Sequence, residues 1–135
     1  MSTERDGDTP PEILVVDDDA ILRDLVADWL EGAGYRVRKA ESCSRAVAAV
    51  ASEVVPALIV TDMFMPGACG AEAIAHFKRA HPGTALIAVS GHFSSGQGLS
   101  AQAAMSAGAD RALAKPVKRA DLLRAVAELV GPPDR

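Results

Sequence analysis

Reactive side chains stand directly behind apolar runs at four places in this chain. Asp17 and Asp18 follow Ile13-Leu14-Val15-Val16, and Asp62 follows Leu58-Ile59-Val60-Thr61. Ser90 follows Leu86-Ile87-Ala88-Val89, and Lys115 follows Ala112-Leu113-Ala114. Together they supply two or three carboxylates, a hydroxyl and an ammonium. Carboxylates held close together repel, raise one another's pKa and favour a bound cation. Hard oxygen ligands suit Mg²⁺, which keeps several waters and bridges to phosphate. A carboxylate set between such a metal and a lysine can act as a nucleophile toward phosphorus. The metal and the lysine then neutralise charge on the transferring oxygens. A hydroxyl beside them can donate to the phosphoryl group once it arrives.

These groups come from distant parts of the chain, so a scaffold must gather them. Short, apolar, β-branched runs read as buried strands of a parallel sheet. The C-terminal ends of such strands share one edge, where open α/β sheets bind ligands. Strands are expected at Ile13–Val16, Tyr35–Arg38, Ala57–Val60, Ala85–Val89 and Ala112–Ala114. The first expected helix carries Ile21, Leu22, Leu25, Val26, Trp29 and Leu30 at helical spacing and ends at Gly32 and Gly34. Asp19 stands just before it, where a carboxylate serves as an N-cap or dipole partner. A second helix follows a Ser44 cap with Ala46, Val47 and Val50. A third follows the Pro66-Gly67 turn, faces Ile74 and Phe77 inward and stops at Pro82-Gly83. The stretch Gly91–Ser100 is rich in Gly and Ser and reads as a mobile loop. An Ala-rich fourth helix runs to about Ala107, closed by Gly108. The strongest amphipathic pattern, Leu122, Leu123, Val126, Leu129 and Val130, makes the fifth, stopped by Gly131-Pro132. Five strands alternating with five helices imply an α/β domain whose parallel sheet is covered on both faces.

A length of 135 residues suits one domain. Residues 1–11 are polar and acidic with two prolines and read as a disordered leader, 12–131 as the domain, and 132–135 as a short tail. The leader has no apolar core, so it is not a signal peptide. No segment approaches the roughly 20 apolar residues of a membrane span. The net charge of −4 disfavours general electrostatic binding to nucleic acid or to anionic membrane. Cys43 and Cys69 have no metal spacing, which points to a reduced, cytoplasmic setting. His76, His81 and His92 show no ligand spacing either. Gly91 to Gly96 has the first interval of a phosphate loop, but Gln97-Gly98 stands where Lys-Ser/Thr is required.

At its reactive residues the chain resembles the two-component response-regulator receiver family, of the chemotaxis-regulator type. The matching stretches are Leu14-Val15-Val16-Asp17-Asp18, Asp62-Met63-Phe64-Met65-Pro66-Gly67 with Gly70, Val89-Ser90-Gly91, Gly108-Ala109-Asp110 and Lys115-Pro116. Each is weak alone; their order across residues 12–130 is specific. The resemblance implies a flavodoxin-like, doubly wound sheet of strand order 2-1-3-4-5. It implies Asp62 as phosphoacceptor and Asp17 and Asp18 as Mg²⁺ organisers, with Asp62 and the backbone carbonyl of Phe64 completing the protein ligands. Ser90 becomes the switch hydroxyl, Lys115 the partner lysine, and the Lys115-Pro116 bond is expected cis. Phe64 and His92, each two residues past a site residue, become tuners of phosphoryl lifetime. The implied donor is a histidine kinase or a histidine phosphotransfer protein. The implied output is contact with a downstream protein, or a homodimer, through the face of the fourth helix, fifth strand and fifth helix. The chain then acts as a switch, not as an enzyme.

Two departures from the family pattern stand out. The aromatic switch position, three residues before the lysine, is Ala112, which has no ring to swing inward. Cys69 replaces a frequent Asp beside Gly70. Ala112 keeps open a pseudo-receiver that binds partners without being phosphorylated. A second alternative is a haloacid-dehalogenase-like phosphatase, because Asp17-x-Asp19 after a strand imitates that signature. The chain is short for that fold and offers no later acidic pair at a strand end beyond Lys115.

Overall fold

In the computed structural model the described residues are 11–42, 45–46, 55–62, 71–90 and 101–132. Their elements run β1 (Glu12–Val16), α1 (Ala20–Gly32), β2 (Arg36–Ala40), β3 (Leu58–Asp62), α2 (Ala71–Ala80), β4 (Ala85–Ser90), α3 (Ala101–Ala107), β5 (Arg111–Ala114) and α4 (Arg119–Val130). The five strands form one sheet of order β2-β1-β3-β4-β5, and every pairing is parallel. This is the doubly wound architecture expected from the sequence.

Continuous apolar runs arise because both faces of the sheet are covered. Successive residues of a strand point to opposite faces. Leu14, Val16, Ile59, Leu86 and Ala88 pack on one side with Ile74 and Phe77 of α2 and Ala104 of α3. Ile13, Val15, Leu58, Val60, Ile87 and Val89 pack on the other with Leu30 of α1 and Leu122 and Val126 of α4. Each fully buried Leu, Ile or Val contributes about 1.5–3 kcal/mol relative to exposure, so the central strands dominate stability. All five residues of β3 are buried, its terminal Asp62 included.

Four helices of the expected five are complete among the described residues. The remaining one falls between β2 and β3, where Arg45 and Ala46 are helical and Ala46 is fully buried; its Ser44, Val47 and Val50 lie outside the described residues. Strand β2 also needs a correction. Expected at Tyr35–Arg38, it runs from Arg36 to Ala40, because its ladder follows β1, pairing Val15 with Lys39 and Val16 with Ala40. Tyr35 lies outside the strand, buried, and its hydroxyl donates to the Gly131 carbonyl at 2.9 Å. Strand β3 is shifted in the same way, to Leu58–Asp62, and β1 and β5 each begin one residue earlier than expected. Backbone pairing extends across polar residues where hydropathy alone ends a strand.

Gly108 closes α3 with φ +127°, and a Cβ there would stand 3.0 Å from Lys78 Cγ. Both the backbone angle and the close approach call for glycine. Beside it, Lys78 Nζ donates to the Thr84 carbonyl (2.7 Å) and pairs with Asp110 Oδ2 (3.2 Å). The same carboxylate oxygen accepts from the Leu86 N–H at 2.9 Å. The Gly108-Ala109-Asp110 stretch therefore clamps α2 and the start of β4 at the N-terminal edge of the sheet.

Candidate functional site

At the opposite, C-terminal edge, β1 and β3 deliver their carboxylates side by side. Asp62 is the last residue of β3, paired with Val89 of β4. Asp17 is the first residue past β1, and its N–H donates to the Ala40 carbonyl at 3.1 Å. The Asp17 carbonyl accepts from Arg23 Nη1 at 2.9 Å, so α1 holds the turn from below. One Asp17 oxygen, Oδ1, accepts from the Asp19 N–H at 2.9 Å, a local Asx turn. The other, Oδ2, faces Lys115 Nζ at 3.7 Å. Lys115 Nζ also stands 3.4 Å from Asp62 Oδ2. The Lys115-Pro116 bond is cis, as expected.

The three acidic residues of the β1 junction divide by partner. Asp19 Oδ1 accepts from the backbone N–H groups of Ile21 (3.0 Å) and Leu22 (3.3 Å), which makes it the N-cap of α1. That engagement withdraws the second carboxylate of the Asp17-x-Asp19 phosphatase-like spacing. Asp17 and Asp18 instead join Asp62: one carboxylate oxygen from each lies within 4.8 Å of the others. Asp17 and Asp62 are 7% and 5% exposed, while Asp18 is exposed. Burial pushes the Asp17 carboxyl above the usual carboxylate range; the Asp19 N–H and the Lys115 ammonium pull it back, and the Asp62 and Asp18 charges add to the rise. Three carboxylates against one ammonium leave an excess of negative charge on a partly buried edge. An all-oxygen donor set with that excess fits a hard divalent cation.

The backbone of Ser90 ends β4, beside Ala114 of β5 and next to Val89, the partner of Asp62. The fourth strand end is thus on the same edge. Ala112 is half-buried in β5 and pairs with the fully buried Ala88 of β4, so an alanine stands where the family pattern expects a ring. Phe64 and His92 lie outside the described residues, as do Cys43, Cys69 and the loop 91–100. Arg23 is a site residue that sequence reasoning missed. Its one sequence signal was a basic side chain in the first turn after the Asp19 cap.

The family model of the response regulator receiver domain matches residues 13–127. The chain belongs to that family. Among curated relatives, this receiver domain is 36% identical over 119 residues to the nitrogen assimilation regulatory protein NtrX of Azorhizobium caulinodans, covering 87% of this chain and 25% of the relative. It is 29% identical over 120 residues to the two-component response regulator ORR11 of Oryza sativa subsp. indica, covering 87% of this chain and 80% of that protein. The chain thus spans a quarter of one relative and most of the other. Among solved structures, the CheY-like receiver domain protein of Methanospirillum hungatei JF-1 superposes with a TM-score of 0.80 at 31% identity, covering 89% of this chain and 93% of that one. Among the described residues, no helix of this receiver domain is long and apolar enough to cross a membrane.

Proposed function

We propose that this receiver domain, spanning residues 12–131, is a phosphorylation switch in which Asp62 accepts a phosphoryl group. The donor is a phosphohistidine of a histidine kinase or of a histidine phosphotransfer protein. One observation carries the reading: the buried Asp62 carboxylate stands 3.4 Å from Lys115 Nζ and within metal-sharing reach of Asp17 and Asp18. In the reaction, an Asp62 oxygen attacks phosphorus, the phosphorus–nitrogen bond breaks, and the imidazole leaves with the bonding electron pair and takes up a proton. Lys115 orients the attacking carboxylate and then pairs with the oxygens of the transferred group. Ser90, at the end of β4, donates to that group. Asp17, Asp18 and Asp62, with the Phe64 carbonyl, would hold Mg²⁺, which when bound supplies charge neutralisation on the transferring oxygens. Arg23 and the Asp19 N–H fix the Asp17 junction so that its Oδ2 faces inward.

The output is contact with another protein, in a cytoplasmic setting and without direct binding of nucleic acid. The face of α3, β5 and α4 carries that contact or a second copy of the chain. Ala112 removes the ring from the usual relay, so the signal leaves through the Ser90 end of β4 and the loop that follows it. Phe64 and His92 tune how long the phosphoryl group survives. The domain makes one acyl phosphate and loses it to water, so it is a switch and not a turnover enzyme.

The test is incubation with Mg²⁺ and acetyl phosphate, followed by intact-mass measurement. The wild type gains the mass of one phosphoryl group and Asp62→Asn gains none. Wild type without added mass, or equal addition to both proteins, refutes the assignment.

A further inference from the structure

Phosphoryl transfer uses the carboxylates and Lys115 but leaves unused a cavity beneath them. Between α1, the sheet and the start of α4 lies a pocket of about 430 Å³. Val60 and Val89 form its floor, and Leu22, Val26, Trp29 and Leu122 its walls. Its charged lining residues, Asp17, Asp62 and Lys115, are the group already held together at the strand ends. Leu25 lines the cavity while staying 41% exposed, so it stands at the opening. Ile21, one turn earlier on α1, is 79% exposed.

Protein interiors leave few voids larger than a water molecule, and apolar cavities hold water poorly but take apolar molecules readily. The volume falls within the range of small-molecule sites, roughly 300–1,000 Å³. We propose that this cavity is a binding site for a small, uncharged aromatic or branched-aliphatic molecule. Charge selects the class. An anionic head would meet the two carboxylates of Asp17 and Asp62 against the single ammonium of Lys115. A cationic head would compete with the metal for the same carboxylates. The remaining lining is apolar and rewards only an apolar body. The walls belong to β3, β4, α1 and α4, all anchored in one packed cluster, so the site is held open by rigid elements. Val60 and Val89 of its floor lie two residues from Asp62 and one from Ser90 along the strands, and Asp62 itself lines the cavity.

Trp29 is the single tryptophan of the chain and lines the cavity, so it reports directly on occupancy. The neutral fluorophore N-phenyl-1-naphthylamine, titrated into the full chain, should show saturable one-to-one binding with transfer of Trp29 emission to the probe. The titration is run on the unphosphorylated chain without Mg²⁺ or acetyl phosphate, so its outcome is separate from any failure of the phosphoacceptor assignment. Val26→Phe fills the cavity and Leu25→Asp places a charge at its opening; each should weaken the probe by about tenfold. Circular dichroism establishes that each variant is folded, and the half-exposed position 25 tolerates the change even if position 26 does not. No saturable binding to the wild type overturns the proposal; a surface that serves only a partner's side chains would give that result. Unchanged affinity in folded Leu25→Asp overturns it as well.

Discussion

The two edges of the sheet each carry a lysine paired with carboxylate oxygen, and they are built differently. At the N-terminal edge, Lys78 meets one carboxylate, Asp110, and one carbonyl, Thr84. Asp110 is satisfied in turn by Lys78 and by the Leu86 N–H, on the same oxygen. Charge balances, and each contact is within hydrogen-bonding distance. At the C-terminal edge, Lys115 meets two carboxylates at 3.4 and 3.7 Å, longer than a good hydrogen bond, with Asp18 close by. Charge does not balance there, and Asp17 and Asp62 are more buried than Asp110 at the opposite edge. A balanced, short-range cluster is a clamp; an unbalanced cluster of carboxylates could hold a cation.

That contrast can be broken at either end. Lys115→Met should slow phosphorylation by acetyl phosphate by about 100-fold or more, the scale of losing one preorganised charge at the reacting oxygens, whereas Lys78→Met should leave the rate unchanged. Equal rates for both variants, read by mass against time, would erase the distinction between the edges. Asp110→Ala strips partners from Lys78 and from the Leu86 N–H, and should cost about 1–3 kcal/mol in urea unfolding while Asp62 still accepts phosphate. A loss of phosphorylation in the folded variant would show that the clamp is part of the site. Asp19→Ala removes the α1 cap and should cost about 1 kcal/mol with Mg²⁺ affinity retained; a collapse of affinity would mean that Asp19 belongs to the metal set.

The smallest effect has the opposite sign. Asp17→Asn should raise the melting temperature of the metal-free protein at neutral pH, because burial holds the Asp17 carboxyl above its ordinary value in the folded state. A raised folded pKa means that the charged form destabilises the fold above that pKa. The advantage of the variant is therefore full above the raised value. It fades as pH falls through the raised value, and it vanishes near the ordinary carboxylate pKa, where the wild-type carboxyl is protonated in both states. A gap between the two melting temperatures that widens on acidification would contradict the burial account. Added Mg²⁺ should reverse the order at neutral pH by stabilising the wild type alone.

Much of this was legible in the residues themselves. Runs such as Leu58-Ile59-Val60 announce strands buried on both faces, since alternate side chains reach the clusters on opposite sides of the sheet. The polar residue ending each run announces the C-terminal edge of the sheet, because a charge cannot follow its strand into the core. Asp19 was readable as a cap from its place before an amphipathic run. The ends of β2 were not readable, since Lys39 and Ala40 are strand residues only through their pairing with β1. Arg23 was not readable either, as its role depends on how far a helix turn reaches back to the Asp17 carbonyl.

By itself, then, the sequence determined the order of elements and the sheet edge where Asp17, Asp18, Asp62 and Lys115 meet, because periodicity and buried charge are local properties of the chain. Only the tertiary structure decided which carboxylate oxygen faces Lys115, that Asp110 closes a clamp at the far edge, and that an apolar cavity opens beneath the acidic group. Those depend on distances between elements far apart in the chain, and such distances exist only once the helices have packed on both faces of the sheet.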